Sequence, residues 1–237
     1  MLHAILFNKA GRSLTSSEVH WRQLFTASED SLTSTVFGNL FHLPIELFWE
    51  ILNNACYSEM ITKQNPRILS VEFWPHWNAE NSNNTDYIEP DIFIRTIDFD
   101  LIIEAKRFDN NQQSINQWNT EFQGYLNEYG DEQKKVILLA IGGIDNEQPE
   151  SIQLKDKTIL VIKCRWMRVL NQIKNIQSKL EKTKNYLNSI DSSLVILNDT
   201  IMGFGIHGYA TGKWFEDEDL SKLTQINTHS LNLLLAL

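Results

Sequence analysis

The chain has 237 residues, of which 42% are hydrophobic and 11% aromatic, with seven Trp and twelve Phe. That is enough apolar surface for a packed interior, and it excludes a disordered chain. A formal charge of −9 argues against a protein that coats nucleic acid indiscriminately, because a uniformly negative surface repels a phosphate backbone.

Cys56 and Cys164 have neither metal-site spacing nor the density of a disulfide scaffold, which suits a reducing cytoplasm. The N-terminus turns polar too quickly for a signal peptide, and no apolar run reaches membrane-spanning length. A soluble cytoplasmic protein with no membrane partner is expected.

In chain order, Thr15-Ser16-Ser17-Glu18 has capping-box spacing and predicts a first helix near 16–27. Leu32, Val36 and Leu40 mark a second helix. After Pro44, the residues Ile45, Leu47, Phe48, Ile51 and Leu52 mark a third. The stretches 68–73, 92–97 and 101–106 are β-branched and aromatic and predict three strands, with an Asn-rich break after the first. Helical spacing over 110–129 stops at Gly130, and 136–141 reads as a buried strand closed by Gly142-Gly143. Residues 158–162 suit another strand, 165–187 a long basic helix, and 220–237 a closing helix. Residues 190–215 read as Gly-rich and mixed. The predicted organisation is a core over 1–150 and a basic helical extension over 151–237 that packs on it.

Glu89-Pro90-Asp91 leads into one of these strands, and thirteen positions after Asp91 the triplet Glu104-Ala105-Lys106 ends the next. A hairpin turning near Asp98-Phe99 brings those distant ends together. Side chains alternate across a strand, so Glu104 and Lys106 share one face while Ile103 and Ala105 face an apolar layer. Two carboxylates and an ammonium at one sheet edge are poor packing material. They suit a hard divalent cation, magnesium first, that acidifies a water and offsets charge on a phosphodiester. Lys106 would hold the attacking water or a phosphate oxygen.

The arrangement resembles the PD-(D/E)xK nuclease superfamily, which includes restriction enzymes, repair nucleases and phage-defence proteins. Pro90, Asp91, Glu104 and Lys106 carry the resemblance, and the order helix, three strands, helix, strand over roughly 28–142 agrees with it. It implies an α/β, restriction-endonuclease-like core with a mixed sheet flanked by helices. It also implies that Asp91, Glu104 and the main-chain carbonyl of Ala105 hold Mg2+, with Mn2+ as a substitute.

The family often adds an acid from its first core helix. Glu29 is the choice here, with Glu46 and Glu50 as competitors. Gln117, Glu121 and Tyr125 lie four apart on the helix that follows, and Gln117 is taken as a site residue. The Gln-x-x-x-Tyr spacing of the RecB-like branch is not reproduced.

An acidic-x-Lys triplet is common by chance, and Glu132-Gln133-Lys134 repeats the form in a polar connection with no Pro-Asp upstream. Gly203-Phe204-Gly205-Ile206-His207-Gly208 matches a dinucleotide fingerprint but lacks a surrounding βαβ unit and reads as a flexible turn. The scattered His residues give no zinc site. The aromatic run 73–77 reads as core rather than a stacking platform.

From Lys155 to Lys184, nine Lys and Arg stand against two acidic residues, a net +7 that leaves −16 on the rest. Arg165, Arg168, Lys179 and Lys182 fall in a band beside the apolar stripe and are expected to dock a nucleic-acid backbone. The expected activity is that of a magnesium-dependent endonuclease, a deoxyribonuclease acting in defence against foreign DNA. Two alternatives stand beside it: a ribonuclease, and a catalytically silent subunit of the same fold. The partners on this reading are DNA or RNA, with a second copy of the chain or a defence-system protein as the protein partner.

Overall fold

Ser28 caps the first helix described over its full length. Its hydroxyl accepts the Ser31 amide at 3.2 Å, satisfying one of the amides that a helix start leaves unpaired. Helix α1 (Glu29–Leu40) then buries Leu32, Val36, Phe37 and Leu40 completely. Pro44 stops that pattern and begins α2 (Ile45–Ala55), since a proline lacks the N–H that a helix interior needs but a helix start does not. The structure, a computed structural model, describes residues 25–60, 66–82, 84–108, 111–154, 156–183 and 190–211.

The remaining elements are β1 (Ile68–Phe73), β2 (Trp77–Asn78), β3 (Tyr87–Ile88), β4 (Ile92–Thr96), β5 (Phe99–Ala105), α3 (Ile115–Tyr129), β6 (Lys135–Ile141), β7 (Glu150–Leu154), β8 (Lys157–Cys164), α4 (Trp166–Thr183) and α5 (Ile190–Ile206). Six strands form one mixed sheet in the order β1-β4-β5-β6-β8-β7. The β1-β4-β5 meander is antiparallel, β5-β6-β8 is parallel, and β7 returns antiparallel along β8. Parallel neighbours require a crossover, and α3 supplies it between β5 and β6.

Each face of the sheet carries its own core. On one, Ile94, Leu101, Ile103, Leu139 and Ile162 pack with α1, α2, α4 and α5. On the other, Phe93, Ile102, Leu138 and Val161 pack with Trp118, Phe122 and Tyr125 of α3 and with Trp77 and Ile88. The protein is thus a mixed α/β fold, a central sheet flanked by helices, with a helical C-terminal part. Among the described residues no helix is long and apolar enough to cross a membrane.

Several sequence expectations need adjustment. The Asn-rich break holds β2 and β3, which pair with each other and pack on α3. The hairpin turns at Ile97-Asp98 rather than Asp98-Phe99. Thr96 Oγ1 accepts the amides of Asp98 and Phe99 at 3.2 and 3.0 Å and donates to the Phe99 carbonyl at 2.6 Å, which closes the turn one residue earlier. The extension expected from 151 is not wholly helical. It opens with β7 and β8, whose Ile159, Val161 and Ile162 are buried in the same sheet.

Residues 190–206 form a helix rather than a mixed segment. Gly203 lies inside it where a Cβ would collide with Thr35 of α1, so this glycine serves close helix packing. The turn comes only at Gly208, with φ +87°. The first predicted helix, apart from its end at 25–27, lies outside the described residues, as do 184–187 and the closing helix over 220–237.

Candidate active site

Strands β5, β6 and β8 run parallel and end together, with Ala105, Ile141 and Cys164 in register. The carboxyl edge of such strands, where chains leave the sheet in different directions, is where open α/β sheets form crevices. The hairpin brings Asp91 to the same edge. Ile92 pairs with Ile103, so Asp91 falls opposite Glu104, and its Oδ2 accepts the Ala105 amide at 2.8 Å.

Glu104 is 2% exposed and points to the α3 face, while Ile103 and Ala105 enter the opposite core. Its Oε1 accepts from Lys106 Nζ and from Gln117 Nε2. Glu29, in the first turn of α1, reaches the cluster across the edge of the sheet. Its Oε1 lies 3.4 Å from Lys106 Nζ and its Oε2 accepts the Arg107 amide at 2.7 Å. Glu50 instead pairs with Lys179 at 2.9 Å, and Glu46 is exposed. The structure therefore brings Asp91, Glu104, Lys106, Glu29 and Gln117 together.

Sequence spacing placed Glu121 on the helix face of Gln117 but not in the cluster. It belongs there. Glu121 is 2% exposed, and neither of its carboxyl oxygens has a hydrogen-bonding donor. Burial, and then the neighbouring Glu104 charge, raise its pKa well above the ordinary carboxyl range. Asp91 is pushed up to about 8, first by burial and then by Glu104. Burial works against the Lys106 charge, yet the Glu104 carboxylate outweighs it and raises the Lys106 pKa. Burial and mutual repulsion thus push Asp91 and Glu121 toward their neutral forms beside the Lys106–Glu104 pair.

Gln113 is a second residue that sequence reasoning missed. Its Nε2 donates to the Glu104 carbonyl at 3.0 Å, and Trp118 Nε1 donates to its Oε1 at 2.7 Å. Gln112 and Gln113 also give their amides to the Gly143 carbonyl at 2.8 and 2.9 Å. That pins the segment in an extended path and explains why α3 begins at Ile115, not near 110. Gly142 and Gly143 have φ +68° and +61°. A Cβ on the first would strike the Lys106 carbonyl, and one on the second would stand 2.8 Å from Lys106 Cβ. Only glycine lets the end of β6 pass so close beneath Lys106.

The other acidic-x-Lys triplet is structural. Lys134 pairs with buried Asp100 at 2.7 Å, Tyr125 Oη donates to the other Asp100 oxygen at 3.2 Å, and Glu132 pairs with Arg95. These groups fasten the opposite end of β5.

The basic band on α4 is largely occupied within the fold. Arg168 donates to the carbonyls of Ala55, Cys56 and Asn54 at 2.6, 3.1 and 3.4 Å and lies over the Tyr57 ring. Arg165 donates to Tyr57 Oη at 3.1 Å. These cations complement the negative carboxyl end of α2. Lys179 and Lys182 are exposed further along the helix.

Among the described residues, no group of three or more His, Cys, Asp or Glu side chains is already arranged to hold a metal ion. Glu104 Oε1 is taken by Lys106 and Gln117, and Asp91 Oδ2 by a backbone amide.

No model of a known protein family matches the chain. Over 214 residues it is 30% identical to "Uncharacterized protein PM0110" of Pasteurella multocida, covering 82% of this chain and 77% of that protein. The chain belongs to the same family as that Pasteurella protein. Among solved structures it is similar to a half-complex of Thermococcus gammatolerans McrB AAA+ hexamers with bound McrC. The TM-score is 0.27 at 9% identity, over 54% of this chain and 28% of that one, a likeness too slight to bear on the fold.

Proposed function

We propose that this protein is a magnesium-dependent nuclease of the PD-(D/E)xK type with a restriction-endonuclease-like core. The observation that carries the reading is the buried cluster at the ends of β4 and β5, where Asp91, Glu104 and Glu121 surround the Lys106 ammonium. Glu121 is buried beside Glu104, to which its protonated carboxyl hydrogen-bonds, and a fold keeps such an acid pair where something else calls for it.

An all-oxygen donor set of buried carboxyls fits a hard divalent cation. Asp91, Glu104 and Glu121 would hold it, with the Ala105 carbonyl as a backbone ligand. A bound magnesium supplies an acidified water and neutralises charge on a phosphodiester. Lys106, charged throughout the neutral range, holds the attacking water or a phosphate oxygen. Glu29 clasps Lys106 and the Arg107 amide, which fixes the ammonium's direction. Gln117 orients Glu104 from α3. Nucleic acid is the substrate class, DNA first, and a role in defence against foreign DNA rests on the family resemblance alone.

The test is incubation with linear and circular duplex DNA, single-stranded DNA and RNA, with magnesium, manganese, calcium or EDTA. Magnesium and manganese should support cleavage and calcium should not, because calcium's looser coordination positions water and phosphate poorly. Lys106→Ala and Glu104→Ala should each lower the rate at least about 100-fold. Full cleavage in EDTA, or near-parent rates in either variant, would exclude the reading.

A further inference from the structure

Glu104, Ala140 and Lys163 lie in one row across three parallel strands, paired Glu104 with Ala140 and Ala140 with Lys163. All three face α3. At about 4.8 Å per strand, Glu104 and Lys163 are about 10 Å apart along the sheet, with only a methyl side chain between them. Over the Lys163 end of the row opens a cavity of about 580 Å³. Gln113 and Trp118 line it, and the same Gln113 donates to the Glu104 carbonyl. The cavity and the carboxylate cluster therefore share a wall.

The lining is chemically divided. Ile115, 55% exposed, gives it an apolar side, backed by the buried Trp118 and Ile144. Asp145, Asn146, Gln148 and Glu150 form the polar side. Lys163 is 2% exposed and its ammonium is already committed, pairing with Glu150 and donating to Asn146 Oδ1 at 2.8 Å. Its charge is thus spent within the wall, and Asp145 leaves the rim negative. An anionic phosphate would be repelled there. A flat, neutral heterocycle with N–H donors would meet an apolar wall on one side and carboxylate or amide oxygens on the other.

We propose that this cavity is a nucleobase pocket that takes an unpaired base carrying an exocyclic amino group while the adjoining phosphodiester lies at the Asp91–Glu104–Lys106 cluster. The proposal rests on the nuclease reading and deepens it, because the substrate must be single-stranded or locally unpaired. A base inside a duplex is stacked and paired, and reaches such a pocket only by leaving the helix. The distance of about 10 Å along the sheet is short enough for one nucleotide to span.

The experiment is binding in calcium, with cleavage silent, of an oligodeoxynucleotide carrying one 2-aminopurine, a fluorescent base with an exocyclic amine. The single strand should bind with quenching of that base as it seats in the cavity beside Ile115, and the matched duplex should bind at least about tenfold more weakly. Ile115→Glu puts a charge on an exposed position at the mouth and should weaken single-strand binding about tenfold and abolish the quenching. Gln148→Ala, also exposed, should lower the preference for 2-aminopurine over thymine at that position. Equal affinity for duplex and single strand, or unchanged affinity and quenching in Ile115→Glu, would overturn the pocket. The two readings fail separately. Cleavage without quenching removes the pocket and leaves the nuclease, whereas quenching that persists where no magnesium-dependent cleavage occurs removes the nuclease alone.

Discussion

Asp91 Oδ2 and the Ala105 amide are joined by a 2.8 Å hydrogen bond, so the carboxyl that precedes β4 is fastened to the backbone between Glu104 and Lys106. The bond serves the hairpin as well as the cluster. Its two roles separate by substitution. Asp91→Asn keeps an oxygen for the Ala105 amide and should melt within a few degrees of the parent. Asp91→Ala leaves that buried amide unpartnered and should lose about 1–3 kcal/mol of stability. Cleavage should fall at least about 100-fold in both. Melting curves beside cleavage rates decide it, and an active Asp91→Asn would reduce Asp91 to a clasp.

Glu121 has the opposite balance. Its folded pKa is raised, so the stability it contributes is present in acid, below its unfolded pKa, and is lost as pH rises above that toward the folded value. Glu121→Gln keeps the shape and removes the proton. The variant should be more stable than the parent near neutral pH by about 1 kcal/mol, with the gap closing in acid. It should also lose most of the rise in melting temperature that magnesium or manganese gives the parent. Thermal melts across pH, with and without the ion, would show both effects. A variant that melts earlier at every pH would return Glu121 to an ordinary packing role.

His207 is 5% exposed, beside the Phe25 ring at 5.3 Å. Burial lowers its pKa to about 4. The folded value lies below the unfolded one, so its neutral form is compatible with full stability above about pH 6.5, and stability is lost as pH falls toward about 4. His207→Phe should reduce that acid loss by about 2–3 kcal/mol without changing cleavage at neutral pH. Matched melts of parent and variant at neutral and acid pH test this, and parallel curves would refute it.

Periodicity and β-branched runs made the sheet and its flanking helices legible, because Leu32, Val36, Ile94, Leu101 and Ile103 are buried by the spacing that predicts their elements. The site was legible as far as it is local. Asp91, Glu104 and Lys106 sit on one hairpin, and alternation alone aligns them. Glu121 and Gln113 were not assigned, because their approach depends on how α3 lies across the sheet. Its docking is set by Trp118 and Phe122 against Phe93, which is distant in sequence. β2 and β3 are too short to carry a period of their own, and β7 is largely polar with only Ile152 buried. Gly203 misled because a glycine that permits close helix packing leaves the same mark as one that makes a turn. Charge counting had a similar limit: the excess over 155–184 is real, but Arg165, Arg168 and Lys163 are engaged within the fold.

That engagement reshapes how nucleic-acid docking along α4 must be tested. Arg168 donates to three carbonyls at the end of α2, so Arg168→Ala should cost about 1–3 kcal/mol of stability. Any loss of binding in that variant would be confounded by the damage. Lys179 and Lys182 are better probes. The Lys179 pair with Glu50 is exposed on both sides, is worth little, and gives way readily to a phosphate. From Arg168 to Lys182 the helix extends about 21 Å at 1.5 Å per residue, enough to lead a strand away from the cluster. If the backbone lies there, each lysine removed should shallow the dependence of log affinity on log salt by about 0.9 on duplex DNA and about 0.7 on a single strand. Lys179→Gln and Lys182→Gln, alone and together, measured in calcium across a salt series, should therefore give additive steps in slope with unchanged melting temperature. An unaltered slope in the double variant would mean that the strand reaches Asp91 and Lys106 from another side of the sheet edge.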